Sequence, residues 1–148
     1  MEKAISLSLE SAQEGEVPVG AVVAKDGEIV SVGRNRSEKN LSALHHAETE
    51  AIEKACRKLK RKYLSDCEIY VTLEPCPMCT GAIIHARVGT LIFGSYNEKE
   101  GACCTVTNLF ELFHEGRNTG VIGGYMGEEC AEVLRRFFIR LRDENGKK

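Results

Sequence analysis

The sequence predicts an α/β protein: one mixed sheet of about five strands with helices packed on both faces. Three observations carry that expectation. The chain has 148 residues, 43% hydrophobic and 28% charged with only three prolines, which is enough for one core and too short for two. Its hydrophobic pattern switches between a 3.6-residue and a 2-residue period, giving the order α-β-β-α-β-α-β-α. Nothing repeats internally and no Pro-, Ser- or Gly-rich linker interrupts it, so residues 1–148 read as a single domain.

Each element has its own signal. Ala4 to Ala12 reads as a helix with Ile5, Leu9 and Ala12 on one stripe and Gly15 as its stop. Val19 to Lys25 is a β-branched and small-residue run, Asp26-Gly27 marks a two-residue turn, and Glu28 to Arg34 alternates as the hairpin partner. Ala47 to Leu59 is rich in Ala, Glu, Ile and Lys, with Ala51, Ala55 and Leu59 four apart, and reads as a helix beginning near His46. A strand follows from Cys67 to Leu73. Pro75 and Pro77 punctuate the next turn, and Met78 to Ala86 reads as a helix because proline is tolerated at a first helical position. Leu91 to Ser95 is a strand, Thr107 to His114 a short helix, and Val121-Ile122 a short strand or turn. Glu128 and Glu129 suit a helix N-terminus, and Cys130, Val133, Leu134, Phe137, Phe138 and Leu141 carry an apolar stripe through Arg142.

No apolar run approaches the roughly 18 to 20 residues of a membrane helix, and Met1-Glu2-Lys3-Ala4-Ile5 lacks the basic-then-apolar pattern of an export signal. A cytoplasmic location is expected. The net charge of −2 argues against coating nucleic acid by bulk charge and leaves only a local basic patch for that purpose. Seven cysteines, an odd number, are expected as thiols, with Cys56, Cys67 and Cys130 as small buried hydrophobes.

The chemistry concentrates in His46-Ala47-Glu48, followed 28 residues after Glu48 by Cys76 in Pro75-Cys76-Pro77-Met78-Cys79. One imidazole and two thiolates suit one zinc ion per chain with a fourth position left for water, whose pKa falls from about 16 toward about 7 so that hydroxide is available. Pro77 at a helix start places Cys79 in the first turn and Cys76 just before it, where free amides favour thiolates. Glu48 is then free to take a proton from the water and return it to substrate. Residues two apart in mid-helix point about 200° apart, so His46 and Glu48 face one metal only if it lies off the helix N-terminus. A dithiol redox site is the first rival, but the Trp-Cys-Gly-Pro surroundings of that motif are absent and the chain has no Trp. A structural zinc site wants a fourth protein ligand; Cys103 and Cys104 are adjacent rather than paired with a two-residue gap, and His45 and His85 read as ordinary polar or core residues.

His-x-Glu with Pro-Cys-x-x-Cys is the known signature of the zinc nucleobase deaminases. Together with Glu16-Val17-Pro18-Val19-Gly20-Ala21-Val22-Val23, Gly33-Arg34-Asn35, Thr72-Leu73-Glu74, Gly81-Ala82-Ile83, Glu128-Glu129-Cys130 and Phe137-Phe138, it makes nearly the whole chain resemble the bacterial tRNA-specific adenosine deaminases of the cytidine/deoxycytidylate deaminase superfamily. The resemblance implies a three-layer α-β-α cytidine-deaminase-like fold and a homodimer. It implies His46, Cys76 and Cys79 as zinc ligands and Glu48 as proton shuttle. It further implies Asn35 as a contact to the base, Val17 and Pro18 lining the pocket, and the Ala47 amide near the reacting edge. The departures are His45 where the family usually has Ala, Asn97-Glu98-Lys99 for Asp-Pro-Lys, and Gly116-Arg117-Asn118 for Asn-His-Arg.

The leading expectation is hydrolytic deamination of adenosine to inosine at the wobble position of a tRNA anticodon loop. The alternatives are deamination of a free nucleobase or nucleoside, and a zinc-stabilised RNA-binding protein, which would have no use for Glu48. An RNA substrate needs concentrated cations. The candidates are Arg57-Lys58-Leu59-Lys60-Arg61-Lys62 and the terminal run Arg135, Arg136, Arg140, Arg142, Lys147 and Lys148, where Phe138 could sit beside a splayed base while Arg136 and Arg140 meet phosphates.

Overall fold

The computed structural model describes residues 1–147, so Lys148, the last cation of the terminal run, lies outside the described residues. Five strands, β1 (Gly20–Lys25), β2 (Glu28–Arg34), β3 (Glu68–Leu73), β4 (Thr90–Ser95) and β5 (Gly120–Ile122), form one sheet in the order β2-β1-β3-β4-β5. β1 pairs antiparallel with both β2 and β3, whereas β3–β4 and β4–β5 are parallel, so the sheet is mixed as expected. The β1–β2 turn has Asp26 and Gly27 both at positive φ, which matches the twist of a two-residue hairpin.

Helices α1 (Glu2–Gln13) and α5 (Gly127–Gly146) cover one face, and α2 (Ala47–Leu59), α3 (Pro77–His85) and the short α4 (Leu109–Leu112) the other. The strand period of two sorts side chains between them. Ala21, Val23, Ile69, Val71, Leu91 and Phe93 enter the large core under α2 and α3, while Val22 and Tyr70 meet Ala4 and Leu7 of α1. Two close approaches fix how the helices sit. A Cβ at Gly33 would stand 2.2 Å from the Ala47 carbonyl, and one at Gly20 would stand 2.0 Å from the Ala4 carbonyl, so α2 and α1 rest directly on strand backbone.

That contact corrects the α1 stripe. Its buried face is Ala4, Leu7, Ser8 and Ser11, whereas Leu9 is exposed and Ile5 and Ala12 are half-buried. The helix lies too close to the sheet for large side chains, and the buried hydroxyls are satisfied by backbone carbonyls: Ser8 Oγ donates to the Ile5 carbonyl at 2.6 Å and Ser11 Oγ to the Asn35 carbonyl at 3.0 Å. Thr107 to His114 is likewise not one helix. Asn108 caps the four-residue α4, accepting from the Phe110 amide, and the chain then tightens into a 3₁₀ turn at His114–Asn118. On α5, Cys130 and Phe137 are buried but Phe138 and Leu141 are largely exposed, so the stripe is narrower than its sequence suggests. Cys56 is half-buried rather than buried, its Sγ 3.6 Å from the Lys62 carbonyl, and all seven cysteines are free thiols.

Candidate active site

The carboxyl ends of β3 and β4, the chain leaving β2 and the chain entering β1 meet at one end of the sheet, where open α/β sheets bind ligands. α2 and α3 begin there. His46 is the N-cap of α2 in extended conformation (φ −84°, ψ 161°), and Glu48 lies in the first turn. Cys76 is the N-cap of α3 (φ −69°, ψ 173°), Pro77 opens the helix and Cys79 follows within its first turn. Because His46 is still outside the helix, the 200° problem disappears, and two helix N-termini converge on one point.

His46 Nδ1 lies 3.6 Å from Cys76 Sγ and 3.4 Å from Cys79 Sγ, and the three ligand atoms all fall within 4.8 Å of one another. The edge of a zinc tetrahedron between one nitrogen and one sulfur is about 3.6 Å, given bonds of about 2.0–2.1 and 2.3 Å. The donors fit zinc in type and in spacing. No other group of this kind occurs among the described residues. Hydrogen bonding with Cys79, and then with His46, draws the Cys76 thiol down to about 4 against its burial, while the interaction with Cys76 and burial push the Cys79 thiol up. His46 is raised chiefly by its hydrogen bond with Cys76. Glu48, only 4% exposed, is pushed up to about 7 by burial, the range of a group that both takes and gives a proton near neutrality.

A deaminase family model, that of the MafB19-like deaminases, matches residues 1–142. The chain belongs to that family. It is 38% identical over 142 residues to the tRNA-specific adenosine deaminase of Bacillus subtilis, covering 96% of this chain and 88% of that protein. It is 45% identical over 143 residues to a tRNA(Ile)-lysidine synthase of Deinococcus radiodurans, of whose length it spans only 24%. A solved structure from studies of A-to-I editing by tRNA:A34 deaminases at the wobble position superposes with a TM-score of 0.85 at 34% identity, covering 90% of this chain and 97% of that one. The five-stranded sheet of this deaminase, with a helix layer on each face, is the cytidine-deaminase-like fold.

The deaminase encloses a cavity of about 220 Å³ beside the three ligands. Asn35, Val17, Ala47 and Glu48 line it with His46 and Cys76; Pro18 is buried, and Val19 takes the wall position instead. Asn35 is held by both ends of its amide, Nδ2 donating to the Val17 carbonyl at 3.1 Å and Oδ1 accepting from the Ser37 amide at 3.1 Å. Each atom keeps one further hydrogen-bonding position. Arg136, Arg140 and Phe138 are not on this cavity. Arg136 pairs with Glu132 at 2.7 Å, Arg140 donates to the Ala12 carbonyl at 2.8 Å, and Phe138, 40% exposed, packs edge-on against Phe137.

Two buried carboxylates escaped the sequence reading. Glu16 and Glu74 are each 1% exposed. Glu16 accepts from the amides of Glu38 and Lys39 at 3.2 and 2.7 Å, pinning the segment after β2. Burial works against ionisation of Glu74, but hydrogen bonds from Thr105, Cys104 and Asn97 outweigh it and hold the carboxyl below its ordinary range. The available signal was an acidic residue against an apolar run, Glu16 before Val17-Pro18-Val19 and Glu74 after Val71-Thr72-Leu73. The other departures are accounted for by place. His45 is exposed and bonded to Asn40 at 2.9 Å, Asn97 stands on the cavity wall, and Gly116 packs against the backbone of Phe110 in the 3₁₀ turn.

Proposed function

We propose that residues 1–148 form a single zinc-dependent deaminase domain that converts adenosine to inosine at the wobble position of a tRNA anticodon loop, with water consumed and ammonia released. The observation that carries it is the convergence of His46, Cys76 and Cys79 beside buried Glu48 in a cavity of about 220 Å³. Relatives named for tRNA-specific adenosine deamination support the substrate. One zinc ion held by His46, Cys76 and Cys79 would supply a Lewis acid that makes water a nucleophile at neutral pH.

The chain's own residues do the rest. On this reading the base occupies the cavity of about 220 Å³ lined by Asn35, Val17, Ala47 and Glu48, with ribose and phosphates at its mouth. The base must therefore be extruded, and anticodon-loop bases, already unpaired, cost least to extrude. Asn35 offers its spare donor and acceptor to the base edge, Val17 and Val19 border the ring, and Ala47, at the amide-rich start of α2, meets the reacting edge. Glu48 takes one proton from the attacking water and gives it to the ring nitrogen, then takes the second proton from the newly added hydroxyl and gives it to the amine, which departs as ammonia.

On α5, Arg136 and Arg140 with exposed Phe138 are our reading for the RNA arm, each arginine exchanging an intrachain partner for phosphate. A homodimer is supported by the outer face of α3. Space is open within 4 Å around a Cβ at Gly81, and hollows of about 540 and 850 Å³, both bordered by Pro77, Gly81 and His85, flank the helix beside exposed Phe113 and Leu44. No helix among the described residues is long and apolar enough to cross a membrane. Zinc-loaded protein, incubated with a tRNA panel and separately with free adenosine, cytidine and guanine, should release ammonia from tRNA alone. Equal or faster release from a free base would move the assignment to a small-molecule deaminase.

A further inference from the structure

The segment joining β4 to α4 has no strand or helix of its own between Asn97 and Thr107; Gly101, Val106 and Thr107 close turns on carbonyls within it, and the remaining amides need other partners. Five donors of that segment converge on one side chain. Glu74 Oε1 accepts from the Asn97 amide at 3.3 Å and from the Thr105 hydroxyl, and Oε2 accepts from the amides of Cys103, Cys104 and Thr105 at 3.2, 3.1 and 3.0 Å. The fit is tight, since a Cβ on Gly101 would stand 2.4 Å from Oε2. The same segment supplies Asn97 and Glu100 to the cavity wall, and Asn97 Oδ1 in turn accepts from the amides of Lys99 and Glu100 at 3.2 and 3.1 Å.

A buried carboxylate without partners is costly, and a loop with unpaired amides is equally so; each condition is relieved only by the other. We infer that Glu74 is a positioning residue for the substrate: its carboxylate fixes the Asn97–Thr105 loop as a preformed wall of the base pocket, so the ordering of that wall is complete before the base arrives. The inference rests on the reading of this cavity as the base pocket. It separates two roles that adjoin in sequence, with Cys76 and Cys79 serving the metal and Glu74 serving the wall.

Glu74→Gln tests this, because the amide keeps the shape but turns one acceptor atom into a donor facing donors. Zinc content should stay at one per chain while amide hydrogen exchange at Cys103, Cys104 and Thr105 rises at least about tenfold. KM for the tRNA should rise about tenfold with kcat held within about twofold, the split expected when binding geometry rather than chemistry is lost. Thr105→Val should reproduce part of the KM effect and Thr105→Ser should not, which keeps the test available if the Gln variant fails to fold. An unchanged KM alongside faster exchange overturns the inference, and so does loss of zinc together with loss of turnover. If the wild type acts on a free base instead, the tRNA reading fails, and the same KM split on that base still decides the role of Glu74.

Discussion

Glu48 and the three ligands divide the work at the scale of single residues. Cys76→Ser or Cys79→Ser replaces a thiolate with an alcohol that stays protonated at neutral pH, so each variant should bind far less than one zinc per chain by metal analysis. Glu48→Gln should keep the metal and lose a factor of about 10² to 10⁴ in kcat, the range for removing a general acid-base group. Burial raises Glu48 from an ordinary value of 4.5 to about 7, and the consequence for metal-free protein has a definite sign. The folded state then holds a proton that the unfolded state releases, so the stabilisation present below pH 4.5 is lost as pH rises through about 7. Denaturation midpoints of metal-free wild type should fall relative to metal-free Glu48→Gln across that window, and parallel curves would show that the carboxyl is not buried as described.

Packing of the elements on strand backbone sets where these residues stand. Gly33→Ala would drive a methyl to 2.2 Å from the Ala47 carbonyl, displacing the start of α2 that carries His46 and Glu48. A stability loss of about 1–3 kcal/mol by chemical denaturation is expected, together with weaker zinc binding. Ser11→Ala should cost about 1 kcal/mol by removing the bond to the Asn35 carbonyl without touching the metal. The same contacts explain what was legible in the sequence. α2 runs from Ala47 and β2 from Glu28 to Arg34 as expected, because His46 and Asp26-Gly27 punctuate locally. The buried face of α1 was not legible, since Ser8 and Ser11 are inside only because Gly20 lets the helix descend onto β1. Glu16 and Glu74 stood out locally only as acidic residues against apolar runs; what they hold was not legible, because their partners are backbone amides more than twenty residues away. The clustering of His46, Cys76 and Cys79 was legible because three residue types, a proline and a spacing define such a candidate site together.

Under the proposed function the molecule must hold a large anion while its own net charge is −2, so the RNA contact would have to be local. Binding of tRNA should weaken with salt at a log-log slope of about −0.7 per single-stranded phosphate neutralised, and Arg136→Ala with Arg140→Ala should flatten that slope while zinc stays bound. Sedimentation equilibrium at micromolar protein should give twice the 16.3 kDa of one chain, and a value of one chain would remove the α3 face as an interface. The central claim is that zinc and Glu48 together deaminate an adenosine held in a tRNA loop. It is tested most directly by mapping inosine in tRNA treated with wild-type and Glu48→Gln protein at equal zinc content. Inosine at the wobble position alone with the wild type, and at no position with the variant, is the predicted result. Equal inosine from both proteins, or none from the zinc-loaded wild type on any tRNA bearing a wobble adenosine, would contradict it.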